Sequence, residues 1–132
     1  MKTAAIIWGV IFLIIGFLGM MPGVTPNGML FGLFRVDGLH NAVHLLTGII
    51  ALFVAFSGSG HASRLYFQVV GIIYVVLTLL GLYYGDRHLL GLVAHNRADV
   101  WLHAIVALVS LYLGYFWGRM PAELNGTTRG RA

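Results

Sequence analysis

Four long stretches without a charged residue alternate with short polar breaks: Thr3–Phe34, Gly38–Ser63, Leu65–Gly85 and Val100–Gly118. A hydrocarbon layer about 30 Å thick is crossed by roughly 20 apolar residues of helix. Each stretch therefore supplies one membrane-spanning helix, over about Thr3–Met20, Asp37–Phe56, Leu65–Tyr84 and Asn96–Gly118. The expectation is an all-α integral membrane four-helix bundle forming a single domain over 1–118. Pro22-Gly23 ends the first helix and Ser57-Gly58-Ser59-Gly60 makes the central turn. The remainder, 119–132, carries Pro, Gly, Asn and late Arg residues and is expected to be a flexible tail.

The pattern repeats. His44 and His103 are 59 positions apart (103 − 44), and the same offset lays Asp37 on Asn96, His40 on Asp99 and Gly48 on Ala107. It also lays Leu30-Phe31-Gly32-Leu33 on Leu89-Leu90-Gly91-Leu92. For the preceding helices the offset is 62 (71 − 9), which pairs Gly9 with Gly71. Two tandem helical hairpins, about 3–60 and 61–118, explain this. Each hairpin returns the chain to its starting side, so the repeats share one orientation and their histidines lie at one depth. The apolar tetrads predict loop segments lying in the membrane interface or folded over the mouth of the bundle.

Asp37 and Asn96 stand where N-caps of the second and fourth helices belong. Small residues mark the faces on which helices approach closely. These are Gly9 and Gly16 (with Ala5) in the first helix, Gly48, Ala51 and Ala55 in the second, Gly71 in the third, and Ala107, Ser110 and Gly114 in the fourth. His44 and His103 top two of these stripes, which turns both toward the bundle interior. His40 and Asp99 stack one turn above them.

Of the 132 residues, 59% are hydrophobic and only 9% charged; the mean hydropathy is +0.89. Such a chain cannot clothe itself for water, and lipid is the expected solvent. Net charge is +4, but the eight Lys and Arg are scattered, which argues against nucleic acid. Lys2, Arg64, Arg119, Arg129 and Arg131 fall on one side, and Arg35, Arg87 and Arg97 on the other. The positive-inside bias puts both termini in the cytoplasm, in a multi-pass protein of the cell membrane. The opening apolar run reaches span length without a small-x-small cleavage site, and is read as a retained helix. With no cysteine, disulfides and thiolate sites are excluded.

The motifs Leu39-His40-Asn41-x-x-His44-Leu45-Leu46-Thr47-Gly48 and Asn96-x-Ala98-Asp99-x-Trp101-Leu102-His103, with Pro-Gly-Val-Thr after the first helix, resemble a bacterial family of small four-helix membrane proteins, domain of unknown function 4383. The likeness runs over about Val10–Tyr115. It implies the four-helix fold and the weight of these motifs, and implies no activity.

Four uses of His40, His44, Asp99 and His103 compete, of which a relay or binding site in a transporter or channel is disfavoured by the small volume of four short helices and the lack of a mid-membrane carboxylate. As a structural polar cluster they would lock helix register, at about 0.6 kcal/mol per interhelical hydrogen bond on average and roughly 1.7 at most. As a metal site they would give a tetrahedral set of three nitrogens and one oxygen suited to zinc. As axial ligands, His44 and His103 could hold haem. Ser57, Ser59 and Ser63 lie at the opposite end from the histidines, so no paired nucleophile exists and no enzyme is expected. The leading reading is a structural, accessory or helix-docking subunit, without cofactor, partnered by lipid and by other membrane helices or itself. A zinc- or haem-binding membrane protein is the runner-up.

Overall fold

The computed structural model describes residues 1–117. Helices occupy Lys2–Leu18 (α1), Gly38–Ser57 (α2), Gly60–Tyr84 (α3) and Arg97–Leu111 (α4), and a π-helical turn at Tyr112–Phe116 extends α4. The protein is thus predominantly helical. α2, α3 and the fourth helix through Phe116 are long and apolar enough to cross a membrane, while α1 is a shorter apolar helix of 17 residues. Gly118 and the expected tail lie outside the described residues.

Three boundaries differ from those expected. α1 stops at Leu18, since the chain turns before Pro22. α3 starts at Gly60, five residues before Leu65. Its cap is Ser59, whose Oγ accepts the Ala62 N–H at 3.1 Å, and the half-buried Arg64 does not interrupt a helix that begins outside the apolar stretch. α4 loses its regular register at Tyr112, where Gly114 presses on α3 so closely that a Cβ there would stand 2.8 Å from the Gln68 nitrogen. Gln68 Nε2 donates to the Gly114 carbonyl at 3.0 Å, a partner for backbone outside the α-helical ladder.

The loop after α1 is not helical throughout. Met29–Leu30 (β1) and Phe34–Arg35 (β2) pair antiparallel, with Leu30 opposite Phe34. Their turn needs positive φ at Phe31 (54°) and Gly32 (71°). The second loop makes the same turn at Leu90 (53°) and Gly91 (71°), closed by a bridge between Leu89 and Val93. In both loops the leading leucine is buried, and the bulky residues at the turn, Phe31 and Leu33 or Leu90 and Leu92, are exposed.

α1 lies along α2, and α3 along α4. Small residues allow this. A Cβ on Gly48 would come within 2.8 Å of the Gly9 carbonyl oxygen and 3.0 Å of the Leu13 nitrogen, so two backbones meet there. Gly16 abuts Leu45, and Gly71 abuts Leu111. Ala5, Ala51, Ala55 and Ala107 are buried in one core with Phe12, Phe67, Val70, Tyr74 and Val106. The two helix pairs meet through aromatic edges, Trp8 against Phe67 and Phe12 against Tyr74. Tyr66 adds a hydrogen bond to the Thr47 carbonyl at 2.8 Å.

A side chain at Gly48 must push the two backbones apart, so Gly48→Val should cost at least the roughly 1–3 kcal/mol of an overpacked core. Gly60→Ala meets open space and should be neutral or slightly stabilising. Unfolding in detergent micelles checks the pair; equal effects would refute the close approach.

Candidate functional site

The site forms where the N-terminal ends of α2 and α4 meet the two loops. Asp37 begins α2: its Oδ1 accepts the His40 N–H at 2.8 Å. Asn96 begins α4 with a capping box, its Oδ1 accepting from Asp99 N (3.2 Å) while Asp99 Oδ2 accepts from Asn96 N (2.9 Å). Each cap also reaches the opposite hairpin. Asp37 Oδ2 accepts from Ala94 N at 3.0 Å, and Asn96 Nδ2 donates to the Leu33 carbonyl at 2.7 Å.

His40, His44 and His103 are buried, and one ring nitrogen from each lies within 4.8 Å of the other two. The His40 ring centroid is 4.6 Å from that of His44 and 5.9 Å from that of His103. Phe12 packs edge-on against His44, and Tyr74 against His103. His40 Nδ1 stands 2.9 Å from the Arg35 carbonyl and 2.8 Å from that of Ala94. Carbonyl oxygens only accept, so this nitrogen carries the proton and donates. Nε2 of the neutral ring then holds a lone pair, buried and without a hydrogen-bond partner among the described residues. Nδ1 of His44 and of His103 are likewise buried and have no partner among the described residues.

Beside these rings lies a cavity of about 50 Å³, lined by the three histidines with Val43, Tyr74, Leu77, Leu89 and Val93. One water needs about 10–15 Å³ on the same measure, so an ion with a water fits. Pockets for larger organic ligands run roughly 300–1,000 Å³. A second cavity, of about 140 Å³, touches His44 and His103 on their other side, between Trp8, Phe12, Ile15 and Leu102.

The three histidines come together; Asp99 does not join them. Its Oδ2 serves the capping box, and no hydrogen bond or ion pair links it to a histidine among the described residues. A carboxylate in the first turn satisfies its own helix start before reaching across an interface.

Two further polar groups belong to the architecture. Asn41 Nδ2 donates to the carbonyl of Gly19, which ends α1, at 2.9 Å. His95, fully buried, holds its Nδ1 2.9 Å from the carbonyl of Gly85, which ends α3. Helix C-termini leave carbonyls without partners, and in each hairpin the returning limb supplies one. Both contacts need glycine nearby: a Cβ on Gly19 would collide with Asn41, and one on Gly81 would stand 2.8 Å from His95 Nε2. The signal in the sequence was the repeated pair Gly19 and Gly81, each followed four positions later by another glycine, Gly23 and Gly85.

A family model described as domain of unknown function, DUF4383, matches residues 2–116. The chain belongs to the DUF4383 family. No curated protein and no solved structure matches it. In this DUF4383 protein the matched span takes in all four helices and all three clustered histidines.

His40→Ala should strand the two carbonyls that its Nδ1–H serves and cost about 1–3 kcal/mol for that loss alone. His40→Gln can still present an N–H and should recover some of it. Comparison of the two unfolding free energies in detergent is the check.

Proposed function

We propose that this chain is a multi-pass membrane protein that binds one transition-metal ion at His40, His44 and His103. The observation that carries the reading is the set of three buried imidazole nitrogens within 4.8 Å of one another beside a cavity of ion size. Neutral imidazole suits zinc, copper, iron and nickel. Nitrogens at about 2.0–2.1 Å from an ion lie about 3.4 Å apart, so rings whose nitrogens now lie within 4.8 Å of one another would draw together around it. A water in the cavity would complete four-coordination, a role no carboxylate here fills. Buried polar groups without partners are costly, and an ion meets the lone pairs as ligands.

The accessory or helix-docking role has less support. Gly48, Ala51, Ala55, Ala107, Ser110 and Gly114 are all buried within the chain, so these small-residue faces are spent on internal packing. The wider frame is a four-helix bundle of two tandem hairpin repeats, all four helices crossing the cell membrane and both termini cytoplasmic. Matching turn dihedrals at Phe31-Gly32 and Leu90-Gly91 support the repeat. The Lys and Arg asymmetry supports the orientation.

Protein purified in mild detergent and exposed to Zn(II), Ni(II), Cu(II) or Cu(I) should retain one ion of at least one metal per chain. His44→Ala and His103→Ala should lower its affinity by more than the about 10–100-fold that outer-sphere changes cause, and Asp99→Asn should leave metal content unchanged. Elemental analysis and competitive titration decide; a wild-type protein that retains none of these metals refutes the reading. For orientation, Pro26→Cys should react with an impermeant thiol reagent in intact cells and Ser59→Cys should not.

A further inference from the structure

The cavity beside the histidines is covered by the second loop. Leu89 and Val93 line it and pair with each other, Leu89 N donating to the Val93 carbonyl at 2.9 Å. Between them Leu90 and Gly91 form the tight positive-φ turn, so Leu89–Val93 is a small closed unit rather than a slack loop. The next residue, Ala94, ties this unit to the other hairpin by both its backbone groups. Its N–H donates to Asp37 Oδ2 at 3.0 Å, and its carbonyl accepts from His40 Nδ1 at 2.8 Å.

We propose that Leu89–Ala94 is the lid of the three-histidine site, and that metal binding and lid docking are one linked equilibrium transmitted through the His40 ring. This rests on the metal reading above. In it, His40 binds the ion through Nε2 and holds the lid through Nδ1–H. A carbonyl accepting from one ring nitrogen makes the other a better metal donor. An ion on Nε2 in turn makes Nδ1–H a stronger donor to the carbonyl. The coupling is reciprocal: whatever the closed lid adds to metal affinity, the metal adds to lid closure.

The contacts also make opening feasible. When Ala94 leaves, His40 Nδ1–H retains the Arg35 carbonyl at 2.9 Å, and Asp37 Oδ1 still caps α2 at His40 N. Opening therefore strands neither the imidazole proton nor the helix start. It breaks two bonds of a short loop segment, the kind of element that opens locally while the rest stays folded.

The test uses the full chain in mild detergent, loaded with Zn(II) or, if zinc is not retained, with the ion that is. Asp37→Asn keeps an oxygen for the helix cap and places an amide N–H₂ against Ala94 N–H. Ala94→Pro removes that N–H. Each should still fill to one ion at saturation but release it to a chelator about 10–100-fold faster than the unaltered chain, the usual reach of an outer-sphere change. In the unaltered chain, amide hydrogen exchange across 89–94 should slow on metal loading. Release rates within about twofold of the unaltered chain in variants that fold overturn the lid and leave the site standing. Exchange across 89–94 that ignores the metal does the same, and needs no variant. An unaltered chain that takes up no ion overturns the site and the lid together.

Discussion

Asp37 divides its carboxylate between two tasks. One oxygen starts α2 by accepting from His40 N, and the other takes the Ala94 N–H of the opposite hairpin. The helix start that positions His40 and His44 is thereby tied to the loop that covers them. Asn96 does the same in the opposite sense, capping α4 and holding the Leu33 carbonyl of the first loop. Backbone groups of apolar, membrane-compatible helices need partners inside the protein, because hydrocarbon offers none. Here the same few side chains complete helix termini and join the two halves.

The histidines gain their arrangement from this frame. His40 is fixed through Nδ1 by carbonyls from each hairpin, which leaves Nε2 as its free lone pair. His44 lies one turn further along α2, and His103 enters from α4. Their walls are aromatic edges and aliphatic side chains, and Asp99 gives one oxygen to its own helix start. Three imidazole donors around a cavity of about 50 Å³ are what the proposed ion site rests on.

Much of this was legible in the chain. Uncharged stretches of span length gave the helices, because hydrophobic length is a one-dimensional property. Asp37 and Asn96 were readable as caps, since a cap bonds to backbone three residues away. The inward turn of His44 and His103 followed from small residues at helical spacing on the same face. The shared turn of the two loops was visible as a repeated tetrad, although its short β pairing was not.

What tertiary structure alone decided are contacts between residues distant in the chain. His40 and Ala94 are 54 positions apart, and no local pattern says that they meet. The same holds for Asp37 with Ala94 and Asn96 with Leu33. Asp99, which spacing groups with the histidines, is not among the three clustered side chains; one of its oxygens accepts from Asn96 N in its own first turn. His95 lacked a repeat partner and carried no periodic signal, yet it closes α3 through the Gly85 carbonyl. Local bonding rules act within a few residues, so sequence determines the helices, their caps and their faces. Which lone pair stays free depends on how the two hairpins dock, and only the folded chain settles that.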